Sequence, residues 1–374
     1  MGWTDGLMPQ VSVPECIERA MMKILIVGAG PAGLTTAVEL ARRGIVSDVI
    51  DLRESGSGLS RAVGIIPASL EILRPSGVTE KLLAEGMKFR QARIYRHSTL
   101  AVAIPFAVSG ADDEFILGLA QDRTETHLRD VLSEFGGAVR YGTELVNLHQ
   151  DANKVTTETR DGATAEYDYV VGADGARSTT RQLLNIDFRG HDLPETWSIA
   201  DVDAEGWPNT NTFTACRLSD GNVVVVVPLE PSRFRVVSNT EDALAALPLK
   251  MNVTNVRRAG QFKISIRQVA QYSVGRVFLA GDAAHCHSPV GGRGMNLGIA
   301  DGAELARRMV EGELDGYGKA RHKVGKEVIA GSEAVRKIMT SRNPVTRFLV
   351  HAVLRTASSL PALQRLFAKK ILYG

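Results

Sequence analysis

Two glycine-rich turns about 250 residues apart constrain this chain more than anything else in it. The first, Val27-Gly28-Ala29-Gly30-Pro31-Ala32-Gly33, follows the apolar run Lys23 to Val27. It opens Pro31 to Arg43, where apolar residues recur at helical spacing until Gly44 supplies a stop. The second begins in Gly275-Arg276-Val277-Phe278-Leu279-Ala280-Gly281-Asp282 and runs through Ala283-Ala284-His285 to Pro289-Val290-Gly291-Gly292-Arg293-Gly294-Met295-Asn296. Here too an apolar strand ends in a glycine turn that opens a helix. Both places offer bare amides at a helix N-terminus, which suits an electron-rich or anionic group. A strand-turn-helix unit at each end of the chain predicts an α/β core assembled from separate segments.

In the first turn Gly28 allows the sharp bend, Gly30 lets a pyrophosphate approach the backbone near Ala32, and Gly33 permits close packing of helix on strand. Asp51 follows about 20 residues on, at the end of the second strand (Asp48 to Leu52), placed for ribose hydroxyls. Leu52 and Arg53 continue that adenosine end, with Arg53 reading equally well as a solvated charge. In the second turn the Asp282 carboxylate stands at a strand's end for a sugar hydroxyl. Two sites this far apart, both suited to one extended dinucleotide, point to FAD held along its length. No histidine or cysteine lies in an evident flavin-linking motif, so the cofactor is expected to be non-covalent.

Composition excludes several alternatives. Hydrophobic residues at 44% and charged residues at 23% are ordinary for a soluble chain, and a net charge of +2 is too small to argue for nucleic acid. Apolar runs such as Val223 to Val227 are far short of a membrane span. Cys16, Cys216 and Cys286 show neither metal spacing nor a disulfide framework, which suggests a reducing cytoplasm. His285 and His287 flank Cys286 without making a metal motif, and no metal is expected.

The chain divides into a tail (1–20), a first nucleotide segment (21–188), a sheet-rich insert (189–270) rich in Val, Thr and Phe, a second nucleotide segment (271–335) and basic C-terminal helices (336–374). Some strands of the first nucleotide segment are open to assignment to the insert. Beyond Glu333 there is no acidic residue, yet eight cations from Arg336 to Lys370 accompany an apolar pattern. Two readings stand for that stretch: helices packing back on the nucleotide domain, which is favoured, or peripheral contact with an anionic membrane surface.

Further stretches sharpen the class. Ser60-Arg61-Ala62-Val63-Gly64 leads into Pro67-Ala68-Ser69-Leu70. Gln121-Asp122-Arg123 opens a helix, and Asp168-Tyr169-Val170-Val171-Gly172-Ala173-Asp174-Gly175-Ala176-Arg177-Ser178 follows. With the Gly281-Asp282 segment these resemble the single-component FAD-dependent aromatic hydroxylases, the family of para-hydroxybenzoate hydroxylase. The resemblance covers roughly Lys23 to Met309. It implies a Rossmann-like FAD-binding domain with an inserted antiparallel-sheet substrate domain and C-terminal helices.

The resemblance also implies residue roles. Arg61 would reach the pyrophosphate, Gln121 the ribityl or phosphate region, and Asp174 would serve both FAD and NAD(P)H. Asp282 would bind the ribityl chain or pyrophosphate. Pro289 would lie at the isoalloxazine face, with amides from Gly292 through Gly294, Met295 and Asn296 toward N1 and the C2 carbonyl. Arg293 stands where relatives carry glutamine or lysine, and a cation there would favour reduced flavin. His285 is expected to be structural. The implied activity is a monooxygenase using NADPH or NADH and O2 to hydroxylate an aromatic, polyketide or other lipophilic substrate through a flavin C4a-hydroperoxide. Other readings are an FAD-dependent reductase of isoprenoid double bonds and a non-catalytic, partner-binding protein of the same fold.

Overall fold

The computed structural model describes residues 22–56, 62–107, 114–290 and 292–373. Arg61, Cys16 and the 1–20 tail lie outside those residues. The short apolar strand Ile24–Val27 sits at the centre of a six-stranded sheet, buried along its whole length. It pairs in parallel with Asp48–Ile50 on one side and Tyr169–Gly172 on the other, which pairs in turn with Val277–Leu279. Strands buried on both faces read as continuous apolar runs, as here. Three sequence-distant segments therefore share one sheet, and the second glycine turn leaves it one strand away from Tyr169–Gly172.

Helix α1 (Pro31–Ala41) covers one face of this sheet with α2 (Gln121–Glu134) and α3 (Gly294–Glu311). Leu34, Val38, Leu40, Leu128, Ile299, Leu305 and Phe278 form the core between them. Gly44, at φ +88°, closes the turn after α1 in the left-handed region that favours glycine.

The second body is an eight-stranded, mainly antiparallel sheet. Two 18-residue strands, Phe188–Glu205 and Asn252–Val269, form a long ribbon that leads from the parallel-sheet body into it. Strands Arg233–Ser238, Val223–Glu230 and Phe213–Arg217 follow, and then Gln91–Arg96 and Thr99–Pro105. The sheet thus extends beyond the 189–270 segment. The physical reason is edge pairing: Phe213–Arg217 runs parallel to Gln91–Arg96, so a hairpin from the first nucleotide segment completes the sheet.

Alternation divides its faces. Ala200, Val202, Phe234, Val236, Val224 and Val226 pack outward with Trp207. Asp201, Arg235, Val227, Val225, Val237 and Ala215 point to the opposite face, toward the parallel-sheet body.

Helices α4 (Tyr317–Met339), α5 (Pro344–Ser359) and α6 (Pro361–Tyr373) end the chain. The favoured expectation, helices packing back on the nucleotide domain, holds only for part of α6, which meets the Pro67–Leu73 helix of that segment. Ala357, Ala368 and Leu372 pack instead with Ala92, Val102, Ile104 and Phe106 of the large sheet, so α5 and α6 roof one end of its inner face. Arg217, also on that face, donates to the Met339 and Ser341 carbonyls and fixes the end of α4.

Candidate flavin and substrate site

The first glycine turn is shaped by contact on one side and openness on the other. Gly28 has φ +105°, and a Cβ there would lie 2.4 Å from the Ala173 carbonyl oxygen. A Cβ on Gly33 would lie 1.9 Å from the Gly28 oxygen, so helix and strand meet at glycine distance. Gly30, the N-cap of α1, has nothing within 4 Å of its Cβ position and no side-chain cap. The amides of Ala32 and Gly33 therefore face a space that an anion can enter.

Just past the strand Asp48–Ile50, Asp51 accepts from the Ala29 N–H at 2.7 Å and from the Arg53 backbone and guanidinium. Burial alone would raise its pKa, but these bonds hold it below the ordinary carboxylate value. Arg53 also reaches Glu125 at 3.5 Å, and Gln121 donates to Glu125 at 2.8 Å. One polar network thus joins Asp51, Arg53, Glu125 and Gln121, while Leu52 is exposed beside it.

Asp174 abuts this loop, since the Gly28 Cβ position is 2.8 Å from its Cα. Its Oδ2 accepts from the Thr180 N–H and hydroxyl, whereas its buried Oδ1 has no hydrogen-bond partner. Burial pushes its pKa up despite those bonds. A buried carboxylate oxygen left open beside a glycine cradle is suited to accept from a hydroxyl.

The second loop is fixed from beneath. Asp301 on α3 is fully buried and accepts from the Gly281 N–H at 2.9 Å, from His285 Nε2 at 2.6 Å and from the Arg321 guanidinium of α4. Burial would raise its pKa, but His285, Arg321 and the Gly281 amide hold it below the ordinary value. His285 is thereby structural, tying the loop to the helix. The Asp282 carboxylate points outward and makes no hydrogen bond among the described residues. Pro289 and Gly292 are exposed, and Gly292 adopts φ +63°. Helix α3 has no side-chain N-cap, which leaves the Gly294, Met295 and Asn296 amides without helical acceptors.

Two residues of this loop are engaged elsewhere. Arg293 donates to the Lys370 and Ile371 carbonyls at the end of α6, so it pins the C-terminal helix to the loop. Asn296 uses its side chain as a clamp: Oδ1 accepts from the Ile66 N–H, and Nδ2 donates to the Gly64 and Gly292 carbonyls. His287 donates from Nδ1 to the Ser288 carbonyl, and its buried Nε2 is unpartnered.

What brings the two loops together is a set of close glycines, of which the sequence reading named Gly281 but passed over Gly298 and Gly302. A Cβ on Gly302 would lie 2.5 Å from the Ala32 oxygen, and one on Gly281 would lie 2.9 Å from the Ala32 Cβ. Gly298 faces the same residue at 3.3 Å. The signal was present as Gly298-Ile299-Ala300-Asp301-Gly302, a glycine pair one turn apart on α3. Also unforeseen was the charge on the large sheet. Arg235, among the largest fully buried side chains, is bidentate to Asp201 at 2.7 Å and reaches the Ala62 carbonyl, and Arg258 joins Asp201 at 3.2 Å.

Two helix N-termini, the carboxylates of Asp51, Asp174 and Asp282 and an open glycine, brought together across one parallel sheet, define a dinucleotide flavoprotein with a second, separate sheet. Comparison with known proteins gives the same class. Residues 21–332 match the family model described as an FAD binding domain. The chain is 33% identical over 347 residues to the rifampicin monooxygenase of Streptomyces venezuelae, covering 86% of this chain and 72% of that one.

Two solved structures extend the likeness. A p-nitrophenol 4-monooxygenase from Pseudomonas putida superposes with TM-score 0.85 at 24% identity over 95% of this chain and 99% of that one. Aklavinone-11 hydroxylase in complex with FAD and aklavinone superposes with TM-score 0.73 at 27% identity, over 86% and 69%. The chain belongs to the FAD-dependent aromatic hydroxylase family; it is an FAD-binding monooxygenase.

Proposed function

We propose that this enzyme uses NADPH or NADH and O2 to insert one oxygen atom into a lipophilic aromatic or polyketide-like substrate, with FAD bound non-covalently. The observation that carries this reading is the inner face of the large sheet. Val225, Val237, Ala215 and Phe213 are only half-buried there. The flanking Val223 and Trp197 pack with Val290 of the flavin loop, and Val227 packs with Val63 and Ala120 of the FAD-binding body. An apolar wall therefore stands opposite Pro289 and the α3 N-terminus.

FAD would supply the redox chemistry between the nicotinamide donor and O2. The chain's own tasks are to bind, orient and keep water away. Gly30, Ala32 and Gly33 would take the pyrophosphate, with Arg61 as a further contact. Asp51 and Arg53 would take the adenosine, and Gln121, Asp174 and Asp282 the ribityl and phosphate region. The Gly292 to Asn296 amides would stabilise negative charge on the reduced ring system. The valine wall would hold an apolar ring without offering polar groups that retain water. A large, apolar natural product suits this wall better than a small charged phenol, and rifampicin and aklavinone are the compounds named for two relatives.

The test is turnover under labelled O2, with NADPH and NADH supplied separately and a panel of phenolic and polyketide compounds. Substrate-stimulated nicotinamide oxidation with one labelled oxygen in the product is expected. A product labelled only from water, or one reduced without oxygen, would replace this reading with a reductase or another flavin-bound activity.

A further inference from the structure

The helix α5 faces the wrong way for an ordinary surface helix. Its buried side consists of Ala357 with partly buried Val350 and Leu354. Its outward side carries Val345, Phe348, Leu349, Ala352 and Val353, at the i, i+3, i+4, i+7, i+8 spacing of an apolar stripe. Phe348 is 71% exposed and Val345 65%, and Leu360 and Leu366 continue the surface onto α6, Leu366 at 61%. Large hydrophobics this exposed are scarce over the rest of the described chain, so the cluster is local.

The charge around it has one sign. No acidic residue follows Glu333, and Arg342, Arg347, Arg355, Arg365, Lys369 and Lys370 form no ion pair among the described residues. Unpaired cations flanking an apolar stripe match an anionic lipid surface, where the stripe enters the acyl boundary and the cations meet the headgroups. A second copy docked face to face would set these cations against one another, which disfavours a symmetric dimer through this surface. No described helix is long and apolar enough to cross a membrane, so the helix would lie along the interface.

We infer that α5 and α6 form a peripheral docking surface for anionic membranes. This does not depend on the proposed reaction. The test is flotation of the FAD-loaded chain with vesicles of phosphatidylcholine alone and of phosphatidylcholine mixed with phosphatidylglycerol. Co-flotation with the anionic vesicles only, weakened by salt, is expected. The triple variant Arg355→Gln, Arg365→Gln, Lys369→Gln should lower partitioning on the order of 100-fold. Phe348→Glu with Leu349→Glu should abolish it, with flavin absorbance and melting temperature retained as controls for folding. No flotation, or equal flotation with both vesicles, would overturn the inference. So would a concentration-dependent dimer that dissociates in Phe348→Glu, which would assign the surface to a second copy.

Discussion

Gly302→Ala should loosen FAD more than it destabilises the protein. The added Cβ would lie 2.5 Å from the Ala32 oxygen, 2.8 Å from Thr36 Oγ1 and 3.0 Å from the Thr36 amide. An ordinary contact begins at 3.4 Å, so α1 and α3 must separate by about 3.4 − 2.5 = 0.9 Å at this point. Overpacking of this kind costs about 1–3 kcal/mol. Replacing a mid-helix glycine by alanine returns about 1 kcal/mol of helix propensity, leaving a net loss of roughly 0–2 kcal/mol. FAD binding would have no such offset, because on the proposed reading the cofactor would span from the α1 end to the α3 end. Stretching a charge-assisted bond by nearly an ångström forfeits most of its ~1.5–3 kcal/mol, a fall in FAD affinity of roughly tenfold to a hundredfold. FAD titration of apoprotein by flavin fluorescence, alongside thermal melts, separates the two effects. Gly331→Ala is the control, since that exposed helical glycine has nothing within 4 Å of its Cβ position. If Gly302→Ala binds FAD like the parent and gains stability as Gly331→Ala does, the glycine seam does not set the cofactor span.

Asp282→Ala should weaken FAD by roughly tenfold to a hundredfold while leaving the apoprotein melt unchanged, since the carboxylate bonds nothing described in the chain; equilibrium dialysis of FAD checks it. Asp301→Asn removes the carboxylate charge from buried Arg321 and should cost about 3–5 kcal/mol in urea unfolding at neutral pH. Its pKa is depressed in the fold, so its stabilisation is complete above the ordinary carboxylate value of about 4 and fades as pH falls through the lower folded value. The variant should therefore show a flatter stability profile below about pH 4 than the parent. Arg293→Met loses the bonds to the Lys370 and Ile371 carbonyls and should speed tryptic cleavage within α6 at unchanged FAD content. Unchanged proteolysis would mean that the roof over the large sheet is held by apolar packing alone.

The parts of this site that were legible in the sequence are those whose chemistry is local. Gly28, Gly30, Gly33 and Asp51 announce a strand-turn-helix unit by spacing alone, and the Gly281–Asn296 loop does so again. What remained hidden depends on partners from other segments. Asp301 looks like any helical acid until Arg321 and His285 converge on it. Five consecutive valines at Val223 to Val227 conceal which of them face the flavin loop. Pairing with Arg233–Ser238 settles that by placing Val227 opposite Arg235. Helix α5 carries apolar residues on two sides, so periodicity alone could not choose its buried face. Which strands of the first nucleotide segment join the large sheet stays open from sequence, because nothing local marks the partner of the Gln91–Pro105 hairpin as Phe213–Arg217.

The segment after Arg61 shows how the two bodies act on one another. Arg235 of the large sheet holds the Ala62 carbonyl, and two residues later Asn296 of α3 holds the Gly64 carbonyl and the Ile66 amide. The 62–66 stretch is therefore gripped from both the large sheet and α3. Arg235 owes its position to Asp201, and a buried ion pair of this kind contributes little net stability relative to apolar packing of the same volume. Its use here lies in geometry: the guanidinium's planar fork fixes where the sheet stands relative to Ala62. On the proposed reading, a substrate pressing on Val237, which shares a strand with Arg235, or on Val225 of the next strand would push through one charged side chain to the Ala62 carbonyl.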